Sequence, residues 1–116
     1  MSCIFCMIAG GQIESKKVYE DEKVVAFNDL NPVAPYHILV VPKKHYESVI
    51  DIPENEMEIV AHIHNVIKKI SKDLGFDKTG FRVITNCGED SGQEVKHLHY
   101  HVLAGKKLPN YEALDK

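Results

Sequence analysis

Apolar and polar positions alternate along this chain with two different periods, and the switches between them mark out its elements. Lys17 to Glu20 and Val24 to Asn28 are short β-type runs on either side of the charged turn Asp21-Glu22-Lys23, which predicts an antiparallel hairpin. His37-Ile38-Leu39-Val40-Val41 is the most apolar run and is closed by Pro42, so it predicts a central strand with His37 at its start. The period then changes: Val60, Ile63, Ile67, Ile70 and Leu74 recur at threes and fours. That spacing predicts one long helix, with Asp51 and Glu54 placed as a capping box and Gly75 as its stop. Phe81 to Thr85 is a fourth β-type run, and Val95 to Leu103 a fifth. In this last run His97, His99 and His101 alternate with Leu98, Tyr100 and Val102, so an extended chain puts imidazoles on one face and a core on the other. Ahead of all these, Cys3 to Gly10 predicts a short helix broken at Gly10-Gly11.

The sum is an α+β fold over residues 1–116 as one domain: a five-stranded, mainly antiparallel sheet, one long helix, a short N-terminal helix, and an irregular tail from about Ala104. One helix covers only one face of so small a sheet, so a homodimer is expected. At 44% hydrophobic, the 116 residues support a single core. The 17 acidic residues and 14 Lys or Arg, net −3, are interspersed, which excludes a basic stripe for a nucleic-acid polymer and a polybasic segment for a membrane. A small ligand is the better expectation. The chain starts at Met1 without a charged leader or a spanning apolar run, and cytoplasmic location is expected. Of the three cysteines, the pair Cys3-x-x-Cys6 points to metal or redox chemistry rather than a disulfide framework.

The histidine face admits three readings. A catalytic zinc would take two histidines from one strand, but needs a third ligand, an open position and a base that the sequence does not name. A nucleophilic imidazole needs less, because a side chain with a reference pKa near ~6.5 is largely neutral at physiological pH and forms a labile bond to phosphorus. A merely structural surface is the third. The loop Asn86 to Gly92 runs directly into this strand and is placed to touch the same ligand. His62 and His64, about 200° apart on the long helix, receive no role.

Gly92-Gln93-Glu94-Val95-Lys96-His97-Leu98-His99-Tyr100-His101-Val102-Leu103 resembles the signature of the histidine triad (HIT) superfamily, His-x-His-x-His followed by two apolar residues. The resemblance is to its Hint-like nucleotide-binding branch. It extends over Phe5 and Ile8, Asn28-Asp29-Leu30-Asn31-Pro32, Ala34-Pro35-Tyr36-His37, Val41-Pro42-Lys43-Lys44-His45 and Asn86, most of residues 3–105. It implies a HIT-like fold, a dimer with a joined sheet, and cleavage at the α-phosphorus of purine nucleoside phosphoramidates, such as AMP-amide or AMP-lysine. His99 would be the nucleophile that becomes nucleotidylated, His101 would contact the phosphate oxygens, and His37 would support the cluster. No magnesium is required by such a mechanism. Asp29 would accept from the ribose hydroxyls, Phe5, Ile8, Phe27 and Leu30 would form the base slot, and Asn86, Gly92 and Gln93 would meet the phosphate. Ile8 and Phe27 read equally well as plain core. In bacterial-type relatives Cys3 and Cys6 would join His45 and His97 in a structural zinc site, which would also orient the strand carrying His99.

Two departures stand out. Glu94 occupies a nucleotide-binding position where Ser or Thr is usual; an ionised carboxylate cannot donate and repels phosphate. The Trp-containing ending of animal relatives is absent, and Leu108-Pro109-Asn110-Tyr111 stands in its place. The alternatives are a dinucleoside polyphosphate hydrolase or nucleotidyltransferase of the same superfamily, or a nucleotide-binding scaffold weakened by Glu94.

Overall fold

The structure, a computed structural model, describes residues 3–110. In chain order it contains α1 (Ile4–Ala9), β1 (Lys17–Glu20), β2 (Val24–Asn28), β3 (Tyr36–Pro42), α2 (Glu58–Leu74), β4 (Phe81–Ile84) and β5 (Tyr100–Ala104), with three short 3-10 turns at Val49–Asp51, Glu54–Glu56 and Glu89–Ser91. The strands form one sheet in the order β1-β2-β3-β5-β4, every neighbouring pair antiparallel. This is the expected α+β architecture.

The β1–β2 hairpin turns on Asp21, whose Oδ1 accepts the N–H groups of Lys23 and Val24, each at 2.8 Å. Strand β3 lies in the middle and is buried on both faces, which explains its unbroken apolar run. On one face Ile38 and Val40 join Val24, Ala26, Tyr100 and Val102 beneath Ile63, Val66, Ile67 and Ile70 of α2. On the other, Leu39 and Val41 join Val25 and Phe27 beneath Phe5 and Ile8 of α1. The second face carries the histidines.

Strand β3 takes in Tyr36 and Pro42, which pairs with Val24, and β4 stops one residue early at Ile84; three further boundaries differ from expectation. The long helix starts at Glu58, because Pro53 holds Ile52 extended (φ −79°, ψ 122°) and breaks the chain into two 3-10 turns first. Asp51 caps nothing there; it accepts from the Ser48 hydroxyl at 2.9 Å. The helix does stop at Gly75, in the left-handed conformation (φ 87°). The histidine strand forms only from Tyr100, since its partner β3 ends in Pro42, which has no N–H to donate. It also runs through Ala104, which pairs with Tyr36 and Phe81, so the irregular segment begins one residue later. Of the four-residue ending noted in the sequence, Tyr111 lies outside the described residues. No helix among those residues is long and apolar enough to cross a membrane.

Candidate active site and metal cluster

Strand register brings the histidines together. His101 faces Leu39 and His37 faces Leu103 across the β3–β5 ladder, so the two imidazoles are diagonal neighbours on the same face, with His37 Nε2 and His101 Nδ1 2.9 Å apart. Asp29, just past β2, is fixed beside them by its N–H donating to the His37 carbonyl at 2.9 Å, and its Oδ2 lies 3.4 Å from His37 Nε2. Asp29, His37, His101 and the middle histidine, His99, all belong to the wall of one cavity of about 850 Å³, which is also lined by Phe5, Ile8, Phe27, Leu30, Asn86, Gly92 and Glu94.

The hydrogen bonds assign the protons. His99 Nδ1 lies 2.7 Å from the His97 carbonyl, which can only accept, so Nδ1 carries the proton and Nε2 the lone pair. The His99 ring is buried against the edge of Phe5, centroids 4.9 Å apart, and Thr85 Oγ1 donates to the His99 carbonyl at 2.9 Å. Burial lowers the His99 pKa below its ordinary value, which keeps that lone pair available. The Val33 N–H donates to His37 Nδ1 at 3.2 Å, so neutral His37 carries its proton on Nε2 and donates to His101 Nδ1. His101 therefore presents Nε2–H, and burial together with His99 and His37 pulls its pKa down to about 4. Asp29, His37 and His101 are close enough to surround a cation. The Val33 amide argues against it, because metal at His37 Nε2 would force a proton onto Nδ1 against another N–H.

The other proposed ligand-binding residues divide. Phe5 and Phe27 stack edge to face at 5.6 Å and serve as core and cavity wall at once, as does Ile8. Leu30 stands at the cavity but is 92% exposed. Gly92 has φ +84°, and its N–H is already donated to the Glu89 carbonyl at 3.0 Å, so what it offers a ligand is its missing side chain. Gln93 does not line the cavity: its amide accepts from Gly88 N–H at 2.8 Å and donates to the Glu47 and Val95 carbonyls at 2.6 and 3.0 Å, which holds the loop in place. Sequence reading missed Glu14 and Lys16, which the Gly10-Gly11 break folds back over the cavity. It also missed the Val33 amide, a backbone group with no side-chain signal.

The first triad histidine, His97, turns to a second cluster. Its Nε2–H donates to the Pro42 carbonyl at 2.8 Å, which leaves the Nδ1 lone pair 3.3 Å from Cys3 Sγ, 3.3 Å from Cys6 Sγ and 3.1 Å from His45 Nδ1. Cys6 Sγ is 3.2 Å from His45 Nδ1, and all four donor atoms lie within 4.8 Å of one another. Two sulfurs and two imidazole nitrogens with a carbonyl orienting one ring suit a thiophilic, tetrahedral ion. Without one, burial and the Cys3 thiol push the Cys6 pKa up to about 11.

The HIT domain family matches residues 10–108. The chain belongs to that family. It is 77% identical to a histidine triad protein from Clostridium difficile, with a TM-score of 0.94 over 96% of each chain. A HIT family hydrolase from Clostridium thermocellum is 44% identical, with a TM-score of 0.90 over 94% of this chain and 95% of its own. A histidine triad nucleotide-binding protein from Candida albicans is 30% identical, with a TM-score of 0.79 over 98% of this chain and 90% of its own.

Proposed function

We propose that this HIT protein is a nucleotide hydrolase that cleaves nucleoside phosphoramidates of the AMP-amide or AMP-lysine type at the α-phosphorus, through a covalent nucleotidyl intermediate on His99. The observation that carries this reading is the 2.7 Å contact of His99 Nδ1 with the His97 carbonyl, which leaves the lone pair on Nε2, as a nucleophilic imidazole requires. The Nε2 lone pair attacks phosphorus and the P–N bond breaks; the amine leaves with a proton from solvent. Water then attacks the same phosphorus, the P–Nε2 bond breaks, and the proton of that water returns to solvent, leaving the nucleoside monophosphate. His101 Nε2–H donates to a phosphoryl oxygen as charge builds there, and His37, oriented by Val33, holds His101 in the donating tautomer. Asp29 accepts from the ribose hydroxyls, Phe5, Ile8, Phe27 and Leu30 enclose the base, and Asn86 meets the phosphate beside Gly92, on a loop held by Gln93.

The described residues lining the cavity include three carboxylates, Glu14, Asp29 and Glu94, against the single lysine Lys16. That balance favours a monoanionic phosphoramidate over a highly anionic dinucleoside polyphosphate. Zinc in the Cys3, Cys6, His45 and His97 cluster would be structural, tying α1 to the histidine segment. The three free cysteines fit a reducing cytoplasm. A homodimer pairing across edge strand β4, where Phe81 is 37% exposed, completes the proposal, and sedimentation as a monomer would contradict that part. The enzymatic test compares turnover of an adenosine phosphoramidate with that of a diadenosine polyphosphate. The expected result is faster turnover of the phosphoramidate, abolished in His99→Ala; binding of AMP with no turnover of either would make the protein a scaffold.

A further inference from the structure

We propose that His97 and Phe5 are positioning residues that couple the Cys3, Cys6, His45 and His97 cluster to the nucleophile, so that a thiophilic divalent ion in that cluster controls how His99 is presented to the nucleotide. The proposal rests on His99 being the reacting histidine. His97 is used twice: its ring faces the cluster through Nδ1, 3.1 to 3.3 Å from the other three donor atoms, while its carbonyl receives the Nδ1–H of His99 at 2.7 Å. The segment from His97 to His99 lies outside the sheet, so no ladder of strand hydrogen bonds holds it. Leu98 N–H reaches the Tyr46 carbonyl at 2.6 Å and His97 Nε2–H reaches Pro42 at 2.8 Å, while the fully buried His97 ring packs against Phe5 and turns its Nδ1 edge to the cluster. A movement of that ring tilts the His97 peptide, and with it the acceptor that fixes the His99 ring.

Phe5 supplies the second link. It lies between the two cysteines on α1, a six-residue helix too short to persist by itself, and its ring stands edge-on to His97 at 6.1 Å and to His99 at 4.9 Å. The same ring lines the nucleotide cavity. Fixing Cys3 and Cys6 on an ion therefore fixes a cavity wall and one side of the nucleophile together. Coupling of this kind is reciprocal: if the ion favours the nucleotide-competent arrangement, bound nucleotide favours the ion by the same factor.

The experiment uses the full chain loaded with Co²⁺, whose thiolate charge-transfer and ligand-field bands report the cluster, titrated with AMP. The expected result is a shift of the bands on AMP binding and a rise in cobalt affinity, by competition with a chelator, of about 5-fold or more. Phe5→Leu keeps both cysteines and an apolar side chain; its cobalt bands should form but respond less to AMP. If metal-free protein is unfolded by circular dichroism, affinity alone would rise through folding. The decision then rests on the bands of the loaded protein, which a passive staple would leave still. AMP that binds by calorimetry without moving the parent's bands overturns the coupling. AMP that does not bind at all overturns the nucleotide reading and the coupling with it.

Discussion

Asp29→Asn should separate ribose recognition from catalysis. Asp29 Oδ1 is occupied by the Asn31 N–H at 2.8 Å, while Oδ2 is 3.4 Å from His37 Nε2, beyond a good hydrogen bond, and is the atom proposed to accept from ribose hydroxyls. In the variant the amide oxygen stays with Asn31, and the NH₂ group turns a second donor toward His37 and the sugar. Hydrogen bonds to an ionised group contribute about 1.5–3 kcal/mol. The Asp29 side chain keeps 20% of its surface exposed, and two hydroxyls sharing one carboxylate do not add fully, so we expect a loss near the low end, about 2 kcal/mol, or about 30-fold in AMP affinity. Calorimetry with AMP and with 2′,3′-dideoxy-AMP on parent and variant closes a double-mutant cycle. The parent should bind AMP more tightly than the dideoxy compound by a similar factor, and the variant should barely distinguish them. An equal loss for both ligands would show that Asp29 acts through His37 or the loop and does not read the ribose.

Other consequences follow from the same geometry. The lowered His99 pKa should place the acid limb of the kcat/KM profile below pH ~6.5; a limb above it would contradict a buried neutral nucleophile. His101 titrates at about 4 when folded and near ~6.5 when unfolded, so its contribution to stability is full above ~6.5 and is lost as pH falls from there toward 4; Tm should drop more with acid in the parent than in His101→Gln, and parallel slopes would refute this. Glu94→Gln should narrow the preference for phosphoramidates with cationic over anionic leaving amines by a few-fold, most at low salt, in kcat/KM ratios; an unchanged ratio would mean the carboxylate turns away. Gly105→Ala would place a Cβ 2.7 Å from Pro35 Cβ at φ +98° and should cost about 1–3 kcal/mol in denaturant unfolding; a neutral change would contradict that packing.

How much could be read in advance depended on whether a feature lives in side-chain spacing or in backbone partners. The alternation of His97 to Val102 put Leu98, Tyr100 and Val102 in the core beneath α2 because extended geometry does so with or without a ladder partner. The strand boundary was not legible, since it depends on Pro42 in a neighbour far away in sequence. The start of α2 was misread because Asp51 and Glu54 have the right spacing for a cap, while Pro53 between them forbids it. The cluster of Cys3, Cys6, His45 and His97 was reachable only by resemblance: the span from Cys6 to His45 carries no local signal, yet the fold closes it to 3.2 Å. The proton positions on His37 and His99 depend on the Val33 amide and the His97 carbonyl, which no residue letter encodes.

The central claim, that His99 Nε2 becomes covalently nucleotidylated, is tested most directly by intact-protein mass spectrometry after brief mixing with an adenosine phosphoramidate at mildly acidic pH, parent beside His99→Ala. The expected result is one added adenylyl mass on the parent, mapped to His99, and none on the variant. Turnover by the parent with no adduct at the shortest mixing times, or an adduct of equal yield on His99→Ala, would contradict it.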